Sequence, residues 1–176
     1  MKAGGIILYP TDTVWGLGCD ATNAEAVERI YKLKRSENKK SMLMLCASAD
    51  MVVRYVNKAP GIAFEVMELA TSPLTAILPG AAGVAENLIP EERTLGVRIP
   101  DHEFCRRILR GLGRPVVSTS ANISGEATPA GLAGVSREVV DGVDFVVNPR
   151  FEGKPTKKAS AIIAIGEGGE VKIIRE

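Results

Sequence analysis

Histidine occurs once in these 176 residues and cysteine three times, and no apolar run approaches the ~20 residues of a membrane span. A serine–histidine triad could draw only on His102, beside Asp101, and neither GxSxG nor another activating context accompanies the serines. Cys19, Cys46 and Cys105 are odd in number and far apart, which suits reduced buried thiols better than disulfides or a zinc site. Without GxxxxGK[ST], and without GxGxxG after a strand, the chain reads as neither a P-loop NTPase nor a dinucleotide Rossmann enzyme. The N-terminus lacks a signal-peptide pattern, so a cytoplasmic protein with no membrane partner is expected. A net charge of +1 gives no global attraction for nucleic acid, and any anion must be held by a local basic cluster.

What is present, 45% hydrophobic and 24% charged residues, predicts one domain over 1–176 with a full core. Ile6 to Tyr9 reads as a short buried strand that must stop at Pro10, which has no N–H for a ladder. Beyond it come Thr11, Asp12, Thr13, the single tryptophan Trp15, and two glycines, Gly16 and Gly18, that would let backbone lie close to a ligand. This is either a pocket wall or a strand end whose Trp15 fills the core and whose threonines satisfy their own turn.

Further along, Thr22 to Glu25 forms a capping box, and Val27, Ile30, Tyr31 and Lys34 follow at helical spacing. The stretch KLKRSENKK sets Lys32, Lys34, Arg35, Lys39 and Lys40 against one acid, Glu37. It is either a solvated helix end that complements the dipole or a phosphate site. Met42 to Cys46 reads as a strand, Ser48 caps a helix to about Val56, and Pro60 starts another to about Ala70. Leu74 to Leu78 is a third strand, followed by a loop from Pro79 to Arg93 without a clear period. In the next strand, Thr94 to Pro100, Arg98 lies between Val97 and Ile99, turned either to solvent or into a site that supplies an anion. A helix over His102 to Leu112 stops at Gly113. Val116 and Val117 open onto Ser118, Thr119, Ser120, Asn122 and Ser124, a loop placed where open α/β sheets bind ligands, or else a turn satisfied by its own hydroxyls. Leu132 to Val140 suggests a weaker helix, then a strand Phe145 to Val147, a polar loop with Lys154, Lys157 and Lys158, and a hairpin from Ser160 to Ile165 and Val171 to Arg175. The alternation predicts a mixed α/β sheet with flanking helices. Hydroxyls, amides and cations around a glycine-lined wall suit the binding of a polyanion and the stabilisation of charge, with no covalent nucleophile.

Four segments, YPTDTVWGLGCDA, KLKRSENKKSM, LGVRIPDH and STSANISG, occur in the order and rough spacing of the YrdC-like family of L-threonylcarbamoyladenylate synthases, which the chain resembles over nearly its whole length. The resemblance implies a twisted open α/β sheet with a large positively lined cavity, and the single-domain form of the family. It implies a nucleotidyltransferase that combines L-threonine, bicarbonate and ATP into threonylcarbamoyl-AMP and pyrophosphate, with Mg²⁺ accompanying ATP and no metal ligand from the protein. The product would serve threonylcarbamoyladenosine modification of tRNA through a downstream threonylcarbamoyl transferase complex. Carried over by position, Thr13, Arg98, Ser120 and Ser160 would hold threonine, and Lys34, Lys40, Thr94, Asn122 and Arg175 the nucleotide. The arginine of the family's Lys-x-Arg motif counts to Ser36, so Arg35, one place early, is expected to substitute for it at the phosphates. Trp15 stands where a tyrosine is more usual, keeping an aromatic wall and losing a hydroxyl. Two other readings use the same residues: a double-stranded RNA or tRNA binding module without catalysis, and a carbamoyl-transfer domain like that of hydrogenase-maturation proteins. The latter proteins are much longer and carry acylphosphatase and zinc-finger parts that this sequence lacks.

Overall fold

The computed structural model describes residues 1–36 and 42–176. Strand β1, Ile7–Tyr9, ends at Pro10 as the missing proline N–H requires. The chain then turns through residues 11–15 and returns as β2, Gly16–Gly18, antiparallel to β1 with Tyr9 opposite Gly16. Periodicity gives no sign of β2, three residues of which two are glycine. Their freedom serves the sheet itself: a Cβ at Gly18 would lie 2.7 Å from the Tyr9 ring and 2.8 Å from the Val117 carbonyl oxygen.

Helix α1, Ala24–Lys34, starts one residue later than the capping box suggests. The buried Asp20 carboxylate takes the Thr22 hydroxyl at 2.7 Å, and Asn23 accepts from the Ala26 N–H instead. Strand β3 is Leu43–Leu45; α2, Ala49–Val53, is capped by Ser48 as expected and shorter than expected; α3 is Gly61–Leu69. β4, Leu74–Pro79, and β5, Thr94–Arg98, bracket a segment that is irregular but anchored, because Val84, Ala85, Leu88 and Ile89 are buried around a 3₁₀ turn at Glu86–Leu88. α4, Glu103–Leu112, ends on Gly113 at φ 72°. β6, Val116–Ser120, runs further than Val117, so Ser118 to Ser120 belong to a strand and not to a loop. The helix expected over Leu132 to Val140 splits into a 3₁₀ turn, Leu132–Gly134, and α5, Arg137–Asp141, because Ser136 caps the second piece through the Val139 N–H. β7 is Phe145–Val146, and β8, Ala161–Ile165, forms the expected antiparallel hairpin with β9, Val171–Arg175.

Among the described residues these strands form one mixed sheet in the order β7-β1-β2-β6-β3-β5-β4-β8-β9. Side chains alternate across it. Leu8, Leu17, Met44, Ala76, Leu78, Leu95, Val97 and Val117 share a core with Val27 and Ile30 of α1, Met51 of α2, Ala63 of α3 and Val139 of α5. Ile7, Tyr9, Leu45 and Val116 point the other way and pack on Cys105 and Leu109 of α4. That second face carries Thr75, Thr94, Gly96, Arg98, Ser118 and Ser120 where α4 does not reach, by the same alternation. No helix among the described residues is long and apolar enough to cross a membrane.

Candidate functional site

A cavity of ≈ 480 Å³ occupies the polar part of that face. Its lining includes Thr11, Thr13, Gly16, Thr75, Thr94, Gly96, Arg98, Ser118, Ser120, Ser160 and Arg175. Among the described residues that line it, two are cationic and none is acidic. Gly96 keeps its floor low, since a Cβ there would already touch Leu43 at 3.3 Å and the Thr75 methyl at 3.4 Å.

Arg98, at the end of β5, is 3% exposed, so of the two orientations open to it the chain uses the inward one. The anion is supplied by the protein: Nη1 lies 3.2 Å from the Asp12 carboxylate and donates to the Thr13 hydroxyl at 3.0 Å. Thr11 gives its hydrogen to the Val14 carbonyl at 2.7 Å, so the hydrogen of its 2.9 Å contact with Thr13 comes from Thr13. Thr13 therefore has acceptor capacity left for a ligand and no free hydrogen. The backbone that carries this group is clamped by residues 156 and 157, whose N–H groups donate to the Asp12 and Thr13 carbonyls at 2.9 Å each. Nε of Arg98 is buried without a partner among the described residues, and neither of its polar contacts uses Nη2. Nε and Nη2, a pair of parallel N–H groups whose spacing matches a carboxylate, are thus left without a bond to the described residues.

Further along the same sheet face, on the β8 side of Arg98, the Ser160 and Thr75 hydroxyls meet at 2.7 Å, and Arg175 donates from Nε and Nη2 to the Ser160 carbonyl at 3.2 and 2.7 Å. Ser160 and Arg175 are thereby coupled, and Nη1 of Arg175 takes no part in either bond.

Of the residues that the sequence singles out, Thr13, Thr94, Arg98, Ser120, Ser160 and Arg175 line one cavity. Lys40 lies outside the described residues, as does Lys39. Lys34, Arg35 and Asn122 are not brought to the cavity wall. Lys34 is 2% exposed and donates to the Ser120 and Asn122 carbonyls at 2.6 and 2.7 Å. Burial pulls its pKa down to about 8, while two carbonyl acceptors favour the charged form and oppose that pull. Arg35 points away from the cavity, its Nη2 on the Glu138 carboxylate of α5 at 2.7 and 2.8 Å. The helix end does not fray there: Arg35 takes φ 51° and closes a Schellman motif, with N–H bonds from Arg35 to Lys32 O and from Ser36 to Tyr31 O. Asn122 closes its own turn through the Ile123 and Glu126 carbonyls. Trp15 is core and not wall: it is 1% exposed, and its indole N–H is held by Glu152 at 2.8 Å. Reading by elements missed Thr75, which the period-two placing of polar side chains on β4 could have found, and it missed Asp12 as the partner of Arg98; Ser118, expected in a ligand-binding loop, lines the cavity from within β6.

The family model for Sua5/YciO/YrdC proteins, described as "Telomere recombination", matches residues 1–176. A threonylcarbamoyl-AMP synthase of Idiomarina loihiensis is 35% identical over 158 residues, covering 87% of this chain and 85% of the relative. One of Marinobacter nauticus is 34% identical over 172 residues, covering 97% and 90%. Among solved structures, E. coli YciO superposes with a TM-score of 0.84 at 25% identity, over 99% of this chain and 84% of that one. P. abyssi Sua5 in complex with L-threonine gives 0.84 at 26% identity, over 93% of this chain and 48% of that one, so this chain spans about half of its length. With the model matched end to end, the chain belongs to the Sua5/YciO/YrdC family.

Proposed function

We propose that this protein is an L-threonylcarbamoyladenylate synthase, which makes threonylcarbamoyl-AMP and pyrophosphate from L-threonine, bicarbonate and ATP. The observation that carries the reading is Arg98, a guanidinium lining a cavity with no carboxylate among its described residues, whose Nε and Nη2 are not bonded to the described residues. Its support is the name borne by the Idiomarina and Marinobacter relatives and the threonine held by P. abyssi Sua5.

In this reading the threonine carboxylate lies on Nε and Nη2 of Arg98, and Thr13, with no hydrogen to give, accepts from the substrate's amine. Ser120 and Ser160 hydroxyls flank it. The neutral amine takes up CO₂ derived from bicarbonate, the carbamate oxygen attacks the α-phosphorus, and the bond to the bridging oxygen of pyrophosphate breaks. No protein nucleophile is needed. What the cavity supplies is orientation of short-lived and charged reactants, which intramolecular reactions show to be worth several orders of magnitude. Thr94 and the free Nη1 of Arg175 are the described groups placed for the nucleotide. A divalent ion would enter as Mg–ATP, since the donors that face the cavity are hydroxyls and guanidiniums. The product would pass to a threonylcarbamoyl transferase acting on tRNA, a cytoplasmic setting.

Omitting threonine, bicarbonate and ATP in turn from a mixture with Mg²⁺ tests the reading. Pyrophosphate release that needs all of them supports it. Equal release without threonine, or none from the full mixture, removes it.

A further inference from the structure

Three bonds tie one residue of α1 to the chain leaving β6. The Lys34 ammonium donates to the carbonyls of Ser120 and Asn122, and the Lys34 carbonyl accepts from the Ser124 N–H at 2.9 Å. The same stretch is fixed on its other side by the Ala121 N–H on Trp15 O at 3.1 Å. Two carbonyls that converge on one point in the interior cannot be met by backbone N–H groups from the same turn, whereas a tetrahedral ammonium can meet both. Within this unit Ser120 lines the cavity and Lys34 does not. To reach a phosphate Lys34 would have to release both carbonyls and leave two buried acceptors without donors.

We propose that Lys34 is a positioning residue, which holds the backbone of Ser120–Asn122 so that the Ser120 hydroxyl stays at the cavity wall, and which acts through those carbonyls without touching the nucleotide phosphates. The placing of the Ser120 wall follows from the ligand-free geometry; the choice of nucleotide probes rests on the synthase reading.

Lys34→Met keeps the length of the side chain and removes its donors. Amide hydrogen exchange of the ligand-free variant reads the lock directly, and exchange across residues 121–124 speeds at least about tenfold while α4 is unchanged. Calorimetry with threonine and with AMP, ADP and ATP reads the mode of action: a residue that works through Ser120 costs threonine affinity severalfold, while the three nucleotides change by one common factor, within about twofold of each other. A loss that climbs with each added phosphate, or unchanged exchange at 121–124 in the folded variant, overturns the proposal. If the nucleotides do not bind the wild-type protein the synthase reading fails, and the exchange measurement still decides the role of Lys34. Should Lys34→Met not fold, Lys34→Gln, with an amide donor for one carbonyl, carries the same two readouts.

Discussion

A buried guanidinium needs an anion, and the placing of Asp12 decides what Arg98 can do. Asp12 occupies one nitrogen of the fork and leaves the carboxylate-matching edge free. Holding and binding are then separable. Arg98→Ala removes a charge-assisted bidentate contact, worth roughly 1.5 to 3 kcal/mol, and should raise the threonine dissociation constant by about ten- to hundredfold while ATP changes far less. Asp12→Asn leaves the edge intact and strips a buried cation of its counter-charge, which costs about 3–5 kcal/mol of stability when such a pair is broken. Threonine affinity in that variant should hold or improve, because the substrate carboxylate meets a charge that is no longer offset. Urea unfolding with threonine calorimetry on both variants checks this. Equal loss of threonine affinity in the two would mean that Asp12 touches the substrate, or that Arg98 binds no carboxylate.

Elements carry two further expectations. Arg35 stands in the left-handed region at the end of α1, where glycine is usual. Arg35→Gly and Arg35→Ala lose the same exposed pair with Glu138 and differ in backbone cost, so the glycine variant should be the more stable by about 1 kcal/mol. Both should use ATP with a Michaelis constant within about twofold of the parent, and a tenfold rise would return Arg35 to the phosphates. Gly18→Ala, with its Cβ against the Tyr9 ring and the Val117 carbonyl, should cost about 1–3 kcal/mol in thermal unfolding. An unaffected protein would mean that β2 can shift. The helices with a strong period, α1 and α4, and the terminal hairpin were legible in the residues because local spacing alone makes them. β2 was not, since Gly–Leu–Gly has too few side chains for a pattern and its glycines look the same whether a ligand or a tyrosine ring lies against them. The cavity was legible in its parts, with Thr94, Arg98 and Ser120 all visible. Its position was not, because it depends on how much of one sheet face α4 leaves bare. The partners of Lys34 and Arg98, each more than 80 residues away, belong to tertiary structure and leave no local trace.

At the scale of the whole molecule, six buried groups set the response to alkali, and they oppose each other. Burial pushes the thiols of Cys19, Cys46 and Cys105 from 9.0 up to about 12, so each contributes stability below pH 9 that is lost as pH rises through that window. Lys34 has the opposite sign: with its pKa pulled from 10.5 down to about 8, the unfolded chain binds the extra proton, and stability rises with pH between those values. Near pH 8.5 the Lys34 gain and the first ionisation of the three thiols in the unfolded chain nearly cancel, so stability should stay level there, and by pH 9 the thiols outweigh the amine. Past pH 9, three thiols against one amine leave a net of about two protons favouring the native state, and with two buried tyrosines half-ionised in the unfolded chain stability should fall towards a slope of roughly 4 kcal/mol per pH unit near pH 10. The tyrosines are Tyr31, raised from 10.0 to about 12 by burial, and Tyr9, which burial raises further. Urea midpoints at pH 7, 8.5 and 10 under reducing conditions measure the curve. Cys46→Ala should reduce the slope near pH 10 by about a third, as one of the three net protons goes with the thiol. Lys34→Met should turn the level stretch near pH 8.5 into a fall and leave the later fall steeper. Midpoints that stay level from pH 8.5 to 10 would mean that water reaches these thiols and that the core around them opens more readily than its packing implies.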